Sequence, residues 1–444
     1  MTNCNWNDTE ACFHPTSAVD FLPQAQLREL QLQRLRAIVS LAYDNVEFVR
    51  NRMDERGVKP SDIKELKDIA KLPFMQKNDL RDTYPYGLFA VPMSEIVRLH
   101  ASSGTTGKPI VVGYTAEDMD VWTSTVARSL IMFGIRRGDI LQNSFGYGLF
   151  TGGLGLHSGA ESLGCTVVPV SGGNSERQLM LLKDFGVTAI SCTPSYFIHL
   201  IEESQKLGVN LKQMPLRFGV FGAEPWSEEM RKYIEANTNI TACDIYGLSE
   251  IAGPGVGAEC NCHNGIHIFE DHYYPEIVDP ETGEPLPDGE EGELVLTTLS
   301  KRAMPILRYR THDLTTILAE TCECGRTIRR IKRIGRRSDD MFIIRGVNVF
   351  PSQIEAALMN VEETTPNYMI YLERKKDLDT VLVEVELKPE CFRDSLPAME
   401  AIARNVRDAI ARIVGIRIEV KIVELGSIAR SQGKAKRVVD NRKI

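Results

Sequence analysis

The sequence predicts an α/β fold: a large N-terminal multi-layer α/β domain with a mostly parallel sheet, then a small C-terminal ferredoxin-like α+β domain. Three observations predict it. A chain of 444 residues is longer than one compact core holds, so two or three domains are expected. Between about 160 and 250, short β-rich runs alternate with helical stretches, as in a parallel sheet faced by helices. After residue 340 the order becomes β-α-β-β-α-β, that of a ferredoxin-like unit.

Taken in order, the elements begin with an amphipathic helix. From Gln24 to about Arg56, Leu27, Leu30, Leu35, Ile38, Leu41, Ala42 and Val46 recur mostly at three- and four-residue spacing. "CTVVPV" then precedes a helix over 176–185, and "VTAISC" follows. "LRFGVF" runs into the turn "GAEPW", a helix starts at Ser227, and "ITACDIY" returns as a strand. Ligands of such sheets bind beyond the carboxyl ends of the strands. "GAEPW" (222–226) and "YGLSE" (246–250) occupy such ends. In the C-terminal part "MFIIRG" reads as a strand, 351–361 as a helix, "NYMIYLER" and "TVLVEVELK" as a strand pair, 395–413 as a helix and "IRIEVKIVEL" as a strand. "GRRSDD" (335–340) is polar enough for a linker. The expected division is therefore 1–336, a hinge at 337–340 and 341–444, which ends in a basic tail. No internal repeat or low-complexity tract is present.

Composition narrows the function. Hydrophobic residues at 43% and charged residues at 25% are ordinary for a soluble globular chain. A net charge of −8 argues against a nucleic-acid partner, whose footprint is basic. The N-terminus lacks a signal-peptide pattern. No apolar run approaches the ~18 residues of a membrane span. A cytoplasmic location without membrane partners is expected.

The segment "SSGTTGKP" (102–109) is glycine-rich and carries hydroxyls and one lysine. It is not a Walker loop, because Ser102 stands at the glycine position and Pro109 follows Lys108. Gly104 and Gly107 nevertheless permit backbone conformations that aim N–H groups inward. Ser102, Ser103, Thr105 and Thr106 add hydroxyl donors. The loop suits a flexible clamp on the β- and γ-phosphates of ATP; a plain surface turn is the alternative.

Read together, five motifs in one order resemble the adenylate-forming enzymes of the acyl-CoA synthetase superfamily: "SSGTTGKP", "YGLSE", "YRTHD" (309–313), "GRRSDD" and "GKAKR" (433–437). "DIYGLSEIAGPG", "EDHYYPEIVDPETGE", "MPILRYRT" and "IIRGVNVFPSQIE" look like the phenylacetate–CoA ligase family, and the resemblance covers about residues 20 to 440. It implies a carboxylate that attacks the α-phosphorus of ATP and expels pyrophosphate. The acyl-adenylate is then attacked by the coenzyme A thiol. Both steps develop negative charge that cations and fixed donors must meet.

The resemblance assigns roles residue by residue. Glu250 is expected to be catalytic by holding Mg²⁺, a hard ion suited to carboxylate. Asp313 is expected to accept from the ribose hydroxyls. Tyr246 and the turn Gly222, Ala223, Glu224 and Pro225 flank adenine, with Asp244 nearby; Gly247 and Ser249 complete the nucleotide set. Lys434 is the expected catalytic lysine, although spacing alone does not separate it from Lys436. Arg337 points to the ribose and Asp339 is the pivot on which a mobile C-terminal domain turns between half-reactions. Arg336 stands where relatives often carry glycine, making the backbone there less permissive. In "NSFGYGLFTGG" (143–153), Tyr147 and Phe150 are expected to wall an aryl ring. Without the resemblance, the same residues read as an N-cap aspartate, core aromatics or a solvated basic tail. The implied substrates are a small carboxylic acid, ATP and coenzyme A, with Mg²⁺ as cofactor. Transfer to a non-CoA acceptor is the alternative, and a homodimer is the assembly allowed for.

Of ten cysteines, Cys4, Cys12, Cys165, Cys192, Cys243 and Cys391 are scattered, as expected of reduced thiols. "ECNCHNGIH" supplies Cys260, Cys262, His263 and His267, and "TCECGR" supplies Cys322 and Cys324. Two short clusters of soft ligands read as a tetrahedral structural Zn²⁺ site rather than free thiols. Some relatives carry a cysteine, a histidine and a C-x-C here, which implies Cys260, His267, Cys322 and Cys324; a set using Cys262 is the alternative. Such a site would staple the loop near "YGLSE" to the segment after "YRTHD".

Overall fold

The computed structural model describes residues 13–102, 109–338, 340–344, 347–375, 378–392, 395–431 and 435–442. Ser103, Gly104, Thr105, Thr106, Gly107, Lys108, Asp339 and Lys434 lie outside the described residues, as do Cys4 and Cys12.

The expected first helix is two, Gln24–Asn45 and Glu47–Glu55. Val46 between them is extended at φ −111°, ψ 104°. The apolar period survives the break because Val46 is itself buried on the face shared with Leu35, Val49 and Met53. Side-chain oxygens start the later helices: Thr115 caps Ala116–Met132, Thr193 caps Pro194–Lys206 and Ser227 caps Glu228–Asn237.

The large lobe is built on a 12-stranded sheet among the described residues. Its parallel part runs Thr166–Val168, Ile140–Asn143, Ala189–Cys192, Phe218–Gly222 and Thr241–Leu248. Helices Pro194–Lys206 and Glu228–Asn237 cover it through Phe197, Phe221, Trp226 and Ile234. Beyond Thr241–Leu248 every pairing is antiparallel, through Ala252–Glu259, Ile266–Ile268, Arg330–Ile331, Tyr309–Leu318, Glu291–Thr298 and Tyr273–Val278. The mostly parallel character therefore belongs to the region from 140 to 248. The other half lacks helical crossovers, and antiparallel neighbours need none.

The small lobe has its own core, with Val349, Ile354, Ile370, Val383, Val385 and Ile410 at its centre. Its sheet order is Glu419–Val423, Leu378–Leu387, Thr364–Lys375, Val438–Asp440. One strand differs from the expected order. Phe342–Ile344 pairs only with Val347–Val349, in a separate hairpin. The basic tail instead supplies Val438–Asp440, which runs parallel to Thr364–Lys375 because Val438 packs on the core. Among the described residues no helix is long and apolar enough to cross a membrane.

Candidate active site

The strand ends converge on Asp313. The register of Tyr309–Leu318 sets Asp313 opposite Arg337. Arg337 Nη1 donates to Asp313 Oδ1 at 2.9 Å, and Tyr246 Oη donates to Oδ2 at 2.5 Å. Asp313 is buried, and burial beside it pushes the Tyr246 phenol well above its ordinary range. A carboxylate only accepts, so hydroxyl groups of a ligand are the partners suited to Asp313.

Glu250 lies two residues beyond strand Thr241–Leu248 and is 7% exposed. Tyr309 Oη donates to its Oε1 at 3.3 Å. Its backbone is held by a residue that no motif marked. Lys301 Nζ donates to the carbonyls of Glu250 at 2.9 Å and Ile251 at 3.0 Å, and lies 4.6 Å from the centroid of the Tyr114 ring. Burial pushes the Lys301 amine down to about 7, although Asp118 and Glu250 pull it the other way. Asp118 also fixes the loop that carries Lys301 by accepting from Arg302 N at 2.7 Å and Ala303 N at 2.9 Å. Ser249 Oγ meets Thr151 Oγ1 at 3.4 Å. A side chain at Gly247 would collide with the Ala252 carbonyl, so the close approach of the two strands requires glycine.

The turn from Gly222 to Pro225 crosses the carboxyl end of Phe218–Gly222. Ala223 holds a left-handed φ of 70°, a strained conformation for alanine. Ala223 and Pro225 are exposed. Glu224 is committed elsewhere than adenine. Its Oε1 accepts from Ser195 N at 2.9 Å, at the start of helix Pro194–Lys206, and Oε2 accepts from Ala435 N at 2.8 Å. Asp244 is likewise engaged: Arg333 Nε donates to it at 3.1 Å, and its own N–H donates to buried Glu259 at 2.9 Å. Burial pushes the Asp244 carboxyl up while Arg333 opposes this. Arg333 stacks over Trp226 at 4.4 Å, so the motif carboxylate and its arginine act as one unit.

Strands Arg98–Ala101 and Val111–Tyr114 pair antiparallel and pin the base of the glycine-rich loop. Ser102 N donates to the Ile110 carbonyl at 3.0 Å, and Ile110 N donates to Ser102 Oγ at 3.2 Å. Next to this base the Leu149 carbonyl accepts from Ala101 N at 3.0 Å and lies 3.0 Å from His100 Nδ1. The phosphate-loop base is thereby tied to the 143–153 segment. Within that segment Tyr147 Oη accepts from Asn143 Nδ2 at 2.9 Å and lies 3.0 Å from His157 Nδ1. Burial pushes its phenol up to about 12. Phe150 is 52% exposed at the N-cap of helix Thr151–Leu163 and does not pack as a wall here.

The cysteine and histidine clusters meet. One ligand atom each from Cys260, His267, Cys322 and Cys324 lies within 4.8 Å of all the others, and all four residues are buried. Cys260 and Cys322 sulfurs are 3.6 Å apart, and Cys324 Sγ is 3.4 Å from His267 Nε2. A tetrahedron with Zn–S bonds near 2.3 Å has S···S edges of about 3.8 Å, so the spacing fits. His267 Nδ1 sits 3.2 Å from the Ile328 carbonyl, which leaves Nε2 as the ring nitrogen that faces the sulfurs. Hydrogen bonding from Cys260 and Cys324 pulls the Cys322 thiol down. Cys262 is half-buried at the edge of the cluster.

Comparison with known proteins agrees with this geometry. Residues 20–300 match the AMP-binding enzyme family and residues 346–442 the AMP-binding enzyme C-terminal domain. The chain is 51% identical to the phenylacetate–coenzyme A ligase of Aromatoleum evansii, over 94% of this chain and 95% of that one. It is 52% identical to that of Escherichia coli K12, over 97% of each. Crystal structures of 2-hydroxyisobutyryl-CoA ligase share 30% identity, over 95% of this chain and 91% of theirs. The TM-score is 0.90 for the postadenylation state with 2-HIB-AMP and 0.70 for the thioesterification state with 2-HIB-AMP and CoA. The chain belongs to the AMP-binding enzyme family and, within it, to the phenylacetate–coenzyme A ligases.

Proposed function

We propose that the chain joins phenylacetate, or a related aryl-acetic acid, to coenzyme A through an acyl-adenylate, releasing AMP and pyrophosphate. The observation that carries this reading is Asp313, buried and gripped by Tyr246 and Arg337 beside Glu250 at the sheet's carboxyl edge. Asp313 takes the two ribose hydroxyls, and Arg337 and Tyr246 keep it aimed. The exposed turn at Ala223 and Pro225 borders the adenine. Glu224 acts as a bracket beneath that turn, and Asp244 braces it through Arg333 and Trp226. The glycine-rich sequence after Ser102 takes the β- and γ-phosphates.

A carboxylate oxygen of the acid displaces pyrophosphate from the α-phosphorus; the CoA sulfur then attacks the acyl carbon and AMP leaves with that oxygen. Lys434 meets the charge of the first step, and the small lobe turns about Asp339 before the second. Tyr147 borders the aryl ring, and the tie between Leu149 and the loop base couples acid binding to phosphate binding. Glu250 would hold Mg²⁺, which would supply positive charge to the phosphates. Tyr309 orients that carboxylate, and Lys301 holds the backbone that carries it. Cys260, His267, Cys322 and Cys324 hold a structural Zn²⁺. Held by four protein ligands, the ion would be structural and would hold the loop after Glu259, whose carboxylate supports Arg231 and the Asp244 backbone.

Product analysis tests the reading. With phenylacetate, ATP, Mg²⁺ and CoA, equal amounts of thioester, AMP and pyrophosphate are expected. Release of ADP and phosphate would refute the route.

A further inference from the structure

The lobes are joined by an ionic clasp remote from the reacting groups. Helix Pro194–Lys206 of the large lobe carries Glu202 near its C-terminal end. Asn367 Nδ2 donates to Glu202 Oε1 at 2.5 Å, and Arg430 Nε donates to Oε2 at 3.0 Å. Both donors belong to the small lobe. Arg430 is anchored there by Glu386, which is fully buried and accepts from Nη1 at 2.9 Å and Nη2 at 2.7 Å. Its Nη1 also donates to the Ile428 carbonyl at 2.9 Å. If the small lobe turned away, Arg430 would keep Glu386, and Glu202 would lose both partners. The pair is largely shielded, with side-chain exposures of 19% and 16%. Water therefore screens it less than an ordinary surface pair.

The other end of the same helix carries a second clasp. Glu224 links Ser195 N to Ala435 N. Ser195 and Glu202 are seven residues apart, about 10 Å along the helix. In sequence, Arg430 and Ala435 enclose Lys434. The segment that leads to the lysine is thus tied to one rigid helix on either side. The lobe orientation matches the postadenylation relative, at a TM-score of 0.90 against 0.70 for the thioesterification relative.

We propose that Glu202 is a positioning residue: by holding Arg430 and Asn367 it stabilises the adenylating orientation of the small lobe, and its release sets the balance between the two half-reactions. The inference rests on the acyl-adenylate route above. Coupling energies between sites of about 1.4 kcal/mol correspond to a tenfold change in a two-state balance.

Glu202→Ala and Glu202→Gln separate the half-reactions. Arg430 is left intact, since losing it would strand buried Glu386. Acid-dependent exchange of pyrophosphate into ATP is expected to fall about tenfold in Glu202→Ala and less in Glu202→Gln, which keeps an acceptor for Asn367. Thioester formation from supplied phenylacetyl-adenylate and CoA is expected to be unchanged or faster. Added salt should slow exchange in the unmodified chain more than in Glu202→Ala. Equal losses in both half-reactions, or no change in either, would overturn the proposal. Absence of exchange in the unmodified chain would overturn the adenylation route itself, and the inference with it.

Discussion

Replacing Lys301 with methionine should abolish a pH dependence of stability that the buried amine imposes. The residue is 6% exposed and tied by its Nζ to two backbone carbonyls. Its pKa falls from an ordinary 10.5 to about 7 because burial disfavours the cation. At 1.36 kcal/mol per pKa unit, that gap is worth ~5 kcal/mol between protonation states. From pH 7 to 10.5 the unfolded chain binds a proton that the folded chain does not. Stability therefore rises with pH across this window and is flat well below it. Between pH 7 and 8.5 the gain is ~1.6 kcal/mol. Unfolding this chain carries an entropy of ~0.9 kcal/mol/K, so the thermal midpoint moves by only ~2 °C, and denaturant titration is the sharper assay. The quantity to follow is the stability of the wild type minus that of Lys301→Met, because the buried thiols and phenols cancel in the difference. A difference that climbs from pH 7 to 8.5 supports a buried, largely neutral amine behind Glu250. Parallel curves would refute it.

Other consequences follow from the same contacts. Asp313→Asn keeps the shape but removes the charged acceptor; losing ~1.5–3 kcal/mol should lower kcat/KM for ATP about 10- to 150-fold, and an unchanged value would remove Asp313 from the ribose. Metal analysis of the purified chain should find about one zinc, and Cys322→Ser should lose it and lower the unfolding midpoint. Zinc well below one per wild-type chain would leave the four residues as buried thiols and an imidazole.

The parts legible in the sequence are those whose information is local. The strand–helix alternation from 140 to 248 is written in consecutive residues, so the parallel half of the sheet could be read directly. The antiparallel half includes strands such as "AGPGVGAE" at 252–259, whose glycines and proline hide their pairing. The tail strand Val438–Asp440 was masked by the lysines and arginines around it. At the site, the motifs named Tyr246 and Asp313, 67 positions apart, and the fold brings them into contact. They did not say which way a side chain turns. Glu224 and Asp244 sit in nucleotide-binding motifs, yet they spend their carboxylates on Ser195, Ala435 and Arg333. Those partners come from other elements, and only tertiary structure supplies them. Lys301 escaped for the same reason, since nothing in "TLSKRAMP" distinguishes a buried lysine from a solvated one. Phe150 shows the converse: an aromatic in the acid segment is half exposed, at the N-cap position of a helix rather than in a core. That the Cys and His clusters would meet was readable because short spacing limits where four soft donors can lie.

The formation of a mixed anhydride with AMP is tested most directly by labelling both carboxylate oxygens of phenylacetate with oxygen-18 and letting the chain turn over once with ATP and CoA. One labelled oxygen should leave in the phosphate of AMP, with the thioester keeping the other. Label in pyrophosphate or inorganic phosphate, or none in AMP, would contradict the account.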